Sequence, residues 1–407
     1  MDLKSGRSIW LKNRPTPLRQ SRLKTDELCD VIVIGAGITG ALVAHQLVRS
    51  GLDVIVLDKR PVATASTAAS TALLLYETDA SLQQLAEAHG ERTAHRVYRL
   101  GMEAILQIEH LIRTLKIDCG FQRKKTLYLA SDRRGLQKLR VEYEIRRQIR
   151  LPARLLDRSS LLNDFGLDYP GALYSPGAAQ LDPVKFTRSI FSHAIHHSNF
   201  RLLVAAEAAQ IASLPRFARV QTKDGRVLSA RYIVLATGYE ETPFLEKGLV
   251  ALHSTYVIAS KPFPPGELWT DECLVWETAR PYFYMRTTQD HRVLLGGEDE
   301  PFADAGSRDA KLPGKRRALQ RRFHSLFPHF PFRTECAWTG TFGESPDGLP
   351  YIGVKKDSPR VLYALGYGGN GITFSQIAAK IICDACLGKK NPDARLFTFD
   401  RKSTPRR

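Results

Sequence analysis

A β-branched run, Val31-Ile32-Val33-Ile34, stands between Asp30 and Gly35, and the hydrophobic period changes immediately after it. Residues 41–49 place apolar side chains at Leu42, Val43, Leu47 and Val48, the spacing of one helix face, and Gly51 ends the run. A second short apolar run covers 54–57. Strand, helix and strand in so short a stretch predict the opening of a parallel βαβ unit. Residues 62–72 are almost all Ala, Ser and Thr, small enough to pack closely on something flat. Helix is expected over 80–115, with one break at Gly90, over 133–150 as a basic surface helix, and over 311–328. Strands are expected over 202–220 and 227–235, around the turn Lys223-Asp224-Gly225, and over 254–261, 282–286 and 293–296. A last strand, turn and helix span 361–386.

Composition narrows the class. The 407 residues are 43% hydrophobic and 25% charged, which excludes a disordered, collagen-like or disulfide-scaffold chain and leaves room for two domains. Six scattered cysteines suit a reducing cytoplasm. Residues 1–25 are too basic for a secretory signal, and no apolar run reaches the length of a membrane span. The 59 Lys and Arg against 42 Asp and Glu give +17, gathered in 1–25, 123–150, 311–322 and 401–407. Such blocks are first a solvated surface; they are also what would follow phosphates on a nucleic acid or lipid.

Gly35-Ala36-Gly37-Ile38-Thr39-Gly40 matches the G-x-G-x-x-G fingerprint. The first glycine makes a tight turn, the second admits a pyrophosphate to the backbone, and the third lets helix pack on strand. Asp58 closes the second strand, where an acidic side chain can accept ribose hydroxyls, and Lys59 follows it. A dinucleotide site follows from this context. Two further segments bear on which dinucleotide, the strand ending Leu235-Ala236-Thr237-Gly238 and the turn Gly366-Tyr367-Gly368-Gly369-Asn370-Gly371-Ile372-Thr373; a nicotinamide enzyme has no need of a second such turn so far from the first.

At these residues the chain resembles the FAD-dependent oxidoreductases of the D-amino-acid oxidase/glycine oxidase (DAO) family, over roughly 28–386. The leader Ser8-Ile9-Trp10-Leu11, the pair Ser66-Thr67 with Ser70-Thr71, Leu181-Asp182-Pro183, Gly296-Gly297-Glu298-Asp299 and the Ser345–Gly353 segment stand in the family's order. The resemblance implies an α/β protein with a Rossmann-like FAD-binding domain (28–80, 151–245 and 336–390) interleaved with a mixed β-sheet substrate domain (81–150 and 246–335). Basic termini, 1–27 and 391–407, flank the two. It implies that Ser66, Thr67 and Thr71 sit by the pyrophosphate and ribityl chain and that Ala208 presents its backbone to the adenine. It also implies that the helix after Gly369-Asn370-Gly371 points its N–H groups at the flavin pyrimidine edge. Neither the small-residue segment nor the C-terminal turn has a His or Cys, so non-covalent FAD is implied. The reaction implied is hydride transfer from the α-carbon of an amine or amino acid to flavin N5, with hydrolysis of the imine and oxygen or another acceptor taking the electrons.

Many relatives that bind a carboxylate carry an arginine in Trp-x-Gly-x-Arg, whereas this chain reads Trp338-Thr339-Gly340-Thr341-Phe342. Alternation over 282–286 puts Tyr282, Tyr284 and Arg286 on one strand face, a rigid aromatic wall with a bidentate donor that could take a carboxylate. These three, with Tyr367, are the candidates for substrate contact; packing of the sheet surface is the competing role. Tyr256 is a weaker candidate, and His253 is expected to be structural. Cys383-Asp384-Ala385-Cys386 lacks a second ligand pair, and no metal site is expected. A flavin-dependent tRNA-modifying enzyme of the same fold, or an FAD-binding module without turnover, are the alternatives that the basic blocks leave open.

Overall fold

A computed structural model describes residues 2–12, 16–21, 27–240 and 248–401. Among these, two sheets share the chain. The first is centred on parallel strands in the order Ser358–Leu365, Val227–Leu235, Glu27–Ile34, Val54–Asp58 and Phe200–Val204. Tyr351–Lys355 closes one edge antiparallel, and the hairpin Ala208–Ser213 and Ala218–Thr222 is appended to Val227–Leu235. Alternation along the central strands splits them between two cores. Val31, Val33, Val54 and Val56 meet the helices Ile38–Arg49, Pro183–Ala194 and Gly371–Cys386, while Ile32, Ile34, Ile55 and Leu57 pack beneath the hairpin. A parallel sheet covered on both faces reads as a continuous apolar run for this reason.

The second sheet has ten strands and is mixed. Its centre orders Thr334–Glu344, Ala251–Ser260, Val293–Pro301, Phe283–Thr287, Leu274–Glu277, Gln122–Leu129 and Gly171–Gln180. The contact of Leu274–Glu277 with Gln122–Leu129 is parallel; the other pairings are antiparallel. One face packs on the helix Ala305–Leu326 through Tyr256, Phe283, Met285, Leu319 and Phe323. The other face turns Val257, Leu294 and Trp338 toward Ala69 of the small-residue segment and toward Ile9 and Trp10. The functional cavity lies along that junction.

Several expectations move. The expected strand 202–220 is three strands, because Ala205 adopts φ 56° and turns the chain and a second turn, closed by the Leu214 N–H on the Phe217 carbonyl at 2.9 Å, follows at 214–217. The strands Arg154–Asp157, Gly171–Gln180 and Thr334–Glu344 fall in segments expected with the dinucleotide half but hydrogen-bond into the ten-stranded sheet. The boundaries drawn at 151 and 336 therefore do not follow the sheets. The termini are not merely basic. Residues 1, 13–15, 22–26 and 402–407 of the expected terminal segments lie outside the described residues, as do 241–247 at the 245/246 boundary. Within the rest, Lys4–Gly6 pairs with Gly340, Thr339 and Trp338, and Arg401 binds the Asp347 carboxylate at 2.6 Å. The helix Arg133–Gln148 is not simply a basic surface helix. On its inner face Arg146 is buried and ion-paired to Glu77 at 3.1 Å and Glu142 at 2.9 Å, and Tyr98 donates to Glu142 at 3.2 Å. A buried arginine needs such partners, and periodicity does not show them.

Candidate functional site

The fingerprint forms where the strand Glu27–Ile34 meets the helix Ile38–Arg49. Gly35 has φ 117°, and a Cβ there would stand 2.3 Å from the Ala236 carbonyl oxygen; at Gly40 a Cβ would stand 1.8 Å from the Gly35 oxygen. Only glycine allows this crossing of turn, helix and neighbouring strand. Asp58 ties the turn down: its carboxylate accepts the Ala36 N–H at 2.7 Å and the Arg60 N–H at 2.8 Å. Burial pushes the Asp58 carboxyl up, and those two N–H groups oppose the shift. Thr67 Oγ1 accepts the Ile38 N–H at 3.0 Å. Lys59 lies 3.1 Å from Glu240 and 3.9 Å from Glu207.

From this turn a cavity of about 330 Å³ runs to the face of the ten-stranded sheet. Gly35, Gly37, Ile38, Thr39, Asp58 and Lys59 line its first end, joined by Ala208 and by Ala236, Thr237 and Gly238. Ser66, Thr67 and Thr71 form its middle, and Tyr367, Gly368, Gly369, Asn370, Gly371 and Ile372 border the far part. Tyr282 and Tyr284 stand at the far end.

Three expected residues do not line it. Gly40 serves helix packing. Thr373 donates its hydroxyl to the Leu75 carbonyl at 3.0 Å, which turns it away from the cavity. Arg286 shares the strand face of Tyr282 and Tyr284 but lies one step too far along. Its guanidinium donates to the carbonyls of Thr71 (2.9 Å), Ala72 (2.8 Å), Leu181 (3.0 Å) and Thr287 (2.9 Å), with Trp10 over it at 5.4 Å. Burial pushes this group down to about 9, and the ring of carbonyls holds its proton. The expected carboxylate anchor is a clamp on the small-residue segment.

The C-terminal turn also differs in part. The Gly369 N–H goes to the Asp79 carboxylate at 2.6 Å, so one amide expected to face the flavin already has an anion. The N-terminal end of the helix Gly371–Cys386 favours that charge. Asn370 donates to the Glu77 carbonyl at 2.7 Å, which fixes the turn against the 75–79 segment.

The same cavity gathers residues that periodicity does not single out: Glu77, Asp79, Thr255, Trp276 and Asp299. Asp299 ends the segment Gly296-Gly297-Glu298-Asp299, and its two glycines are the signal. A Cβ at Gly296 would strike the Tyr284 ring at 2.4 Å, and Gly297, at φ 135°, would strike the Tyr282 carbonyl at 2.2 Å. The pair lets Tyr284 lie flat across the strand and delivers Asp299 beside both tyrosines. Burial, with the nearby Asp79 and Glu344 charges, pushes the Asp299 carboxyl up to about 7. Burial also holds the Tyr282, Tyr284 and Tyr367 hydroxyls above their ordinary range, so they remain protonated.

The cavity suits a long, polar, phosphate-bearing group. Ser66 Oγ, Thr237 Oγ1 and the Tyr367 hydroxyl are buried on its wall without hydrogen-bond partners, and a Cβ added at Gly371 would meet open space. Buried polar atoms of this kind are ordinarily satisfied, and here the ligand would satisfy them. The described lining holds neither Cys nor His.

Comparison with known proteins agrees with this geometry. Residues 30–385 match the family model of FAD dependent oxidoreductases, DAO. Gamma-glutamylputrescine oxidoreductase of Escherichia coli is 25% identical over 88% of this chain and 84% of its own. The crystal structure of glycine oxidase from Geobacillus kaustophilus superposes with TM-score 0.78 and 21% identity, over 92% of this chain and 99% of that one. L-amino acid deaminase from Proteus vulgaris superposes with TM-score 0.75 and 15% identity, over 95% and 100%.

Proposed function

This chain belongs to the DAO family of FAD-dependent oxidoreductases, and from that premise we propose that it oxidises the carbon–nitrogen bond of an amine or amino acid. FAD, when bound, supplies the acceptor for the substrate's α-hydride, and the resulting C=N bond is open to hydrolysis by water. The residues that would hold it are those of the first end and middle: Gly35 and Gly37 at the pyrophosphate, Asp58 and Lys59 at the adenosine side, Ser66 and Thr67 along the chain between. No Cys or His of the described lining could anchor FAD covalently, so we read it as dissociable.

The observation that carries the proposal is the continuity of the cavity from the fingerprint to a wall of aromatic rings. Tyr282 and Tyr284 lie 5.8 Å apart, centroid to centroid, and Trp276 joins them on the lining. Aromatic faces attract an amine in its cationic form and give its carbon chain a rigid apolar surface. The protonated tyrosine hydroxyls can donate to a lone pair, and the Trp276 indole N–H is buried without a partner. The chain's own task is orientation, which alone can contribute a large part of a rate enhancement.

The test is an absorbance titration of the FAD-loaded protein under argon with a panel of amines and amino acids. Bleaching of the flavin band by one class supports the proposal. A band that no compound of the panel bleaches, with dithionite still reducing it, rejects it. Oxygen uptake against dye reduction then separates an oxidase from a dehydrogenase.

A further inference from the structure

Cationic side chains share the described lining with carboxylates at one end of the cavity only. Lys59 and Arg60 are the cationic side chains on the described lining, and both sit at the fingerprint end against Glu240. The tyrosine end carries Glu77, Asp79 and Asp299. Acidity alone would not define a site, but two of these carboxylates are also unsatisfied. Both Asp299 oxygens are sealed from solvent without a hydrogen-bond partner of normal geometry, although Thr255 and Tyr282 approach them. Glu77 is 2% exposed; one oxygen faces Arg146, and the other, Oε2, has no partner.

We propose that the substrate carries a second positive charge besides its reacting nitrogen, as a diamine or polyamine does, and that Asp299, beside Tyr282 and Tyr284, receives it. The inference rests on the amine-oxidising function proposed above and adds the substrate class. Three considerations support it. An α-carboxylate would meet like charge at this end, with Arg286 spent on carbonyls and Phe342 on the wall. A substrate with one amine must shed its proton to react, which leaves buried carboxylates uncompensated at that moment. A second ammonium keeps them paired throughout, and the raised Asp299 carboxyl ionises more readily beside it.

The experiment measures apparent affinities in anaerobic flavin reduction by the holoenzyme for three compounds of matched length. They are 1,4-diaminobutane, butylamine and 4-aminobutyric acid. The diamine is expected to bind about tenfold more tightly than butylamine, the equivalent of ~1.4 kcal/mol, with the amino acid weakest. In Asp299→Asn the diamine advantage should disappear while FAD affinity is retained. Equal affinity for diamine and monoamine, preference for the amino acid, or an Asp299→Asn variant that keeps the diamine advantage overturns the inference. The wild-type comparison decides it even if the variant does not fold. If amino acids bleach the flavin and diamines do not, amine oxidation stands and this inference falls. If no amine bleaches the flavin, both fall.

Discussion

The fingerprint end and the tyrosine end of one cavity are built by different means. The first is made mostly of backbone: Gly35, Gly37 and the Ile38 helix start, with Asp58 tying the loop by two N–H contacts. The second is made of side chains from distant strands, Asp299, Tyr282, Tyr284 and Trp276, with the 75–79 segment laid against them. A phosphate-bearing cofactor needs a fixed array of amides and close approach. A substrate that varies between enzymes needs a surface whose chemistry can change without disturbing the sheet beneath it. The difference teaches that the cofactor end is a matter of conformation and the substrate end a matter of charge.

The sharpest way to break this contrast is at Gly40. A methyl group there meets a carbonyl oxygen at 1.8 Å, backbone against backbone, and Gly40→Ala is expected to cost about 3 kcal/mol or more. The loss should show as a protein that keeps no FAD through gel filtration and melts early. Arg286→Ala should cost about 3 kcal/mol, because three carbonyls of other segments, at Thr71, Ala72 and Leu181, lose a buried donor together. Denaturant midpoints measure it. Affinity for an amine that carries a carboxylate should change little, which separates a clamp from a substrate anchor.

Asp299 tests the charge side. Its folded-state carboxyl titrates near 7, above the ordinary unfolded value, so the folded apoprotein holds a proton that the unfolded chain has released. Stability from this group therefore falls as pH rises from about 4 to 7 and is level above that. Asp299→Asn should raise the apoprotein melting temperature by a few degrees at pH 8 and leave it unchanged at pH 4. The groups facing Asp299 are Asp79, Glu344, Tyr282, Tyr284 and Thr255; the first two reinforce the sign.

Smaller effects sharpen the comparison further. Asp79 sits on the Gly369 amide at a helix N-terminus, where its charge opposes the negative charge of a reduced flavin. Asp79→Asn should raise the flavin midpoint potential on the order of 20 mV, the equivalent of ~1 kcal/mol in a two-electron couple. Lys59→Gln should weaken FAD binding about twofold, since its ion pairs are partly exposed and worth ~0.5 kcal/mol. Fluorescence titration of the apoprotein with FAD reads that change.

What the sequence shows follows the same divide. The fingerprint, Asp58, the small-residue segment and the final Gly-rich turn are local patterns, and each lines the cavity or builds its wall. Helix positions were legible for the same reason: Ser81 caps Leu82–His89 beside the expected start at 80, and Gly90 separates that helix from Glu91–Thr114 at the expected break. The strands Gln122–Leu129 and Gly171–Gln180 were not. One begins with the cationic run Arg123-Lys124-Lys125 and the other contains Pro176 and Gly177, so neither has a clean apolar period. Arg286 was misread because a strand face says which side a residue takes, not how far along the cavity reaches. Asp299 went unassigned because its environment comes from Thr255 and Asp79, which sequence distance hides.

The pairing of Lys4–Gly6 with Gly340, Thr339 and Trp338, and of Val227–Leu235 with Ser358–Leu365, bears on how the molecule is made. A nascent chain that has reached residue 330 has left the ribosome with two unfinished sheets. The edge of Glu27–Ile34 is then covered, but the edges of Val227–Leu235 and Ala251–Ser260 wait for strands not yet synthesised. Such edges are adhesive, and contacts this distant form late. Only once the last α-helix, Gly371–Cys386, has been synthesised can it pack on Ile38–Arg49 and cover the helical face of the first sheet.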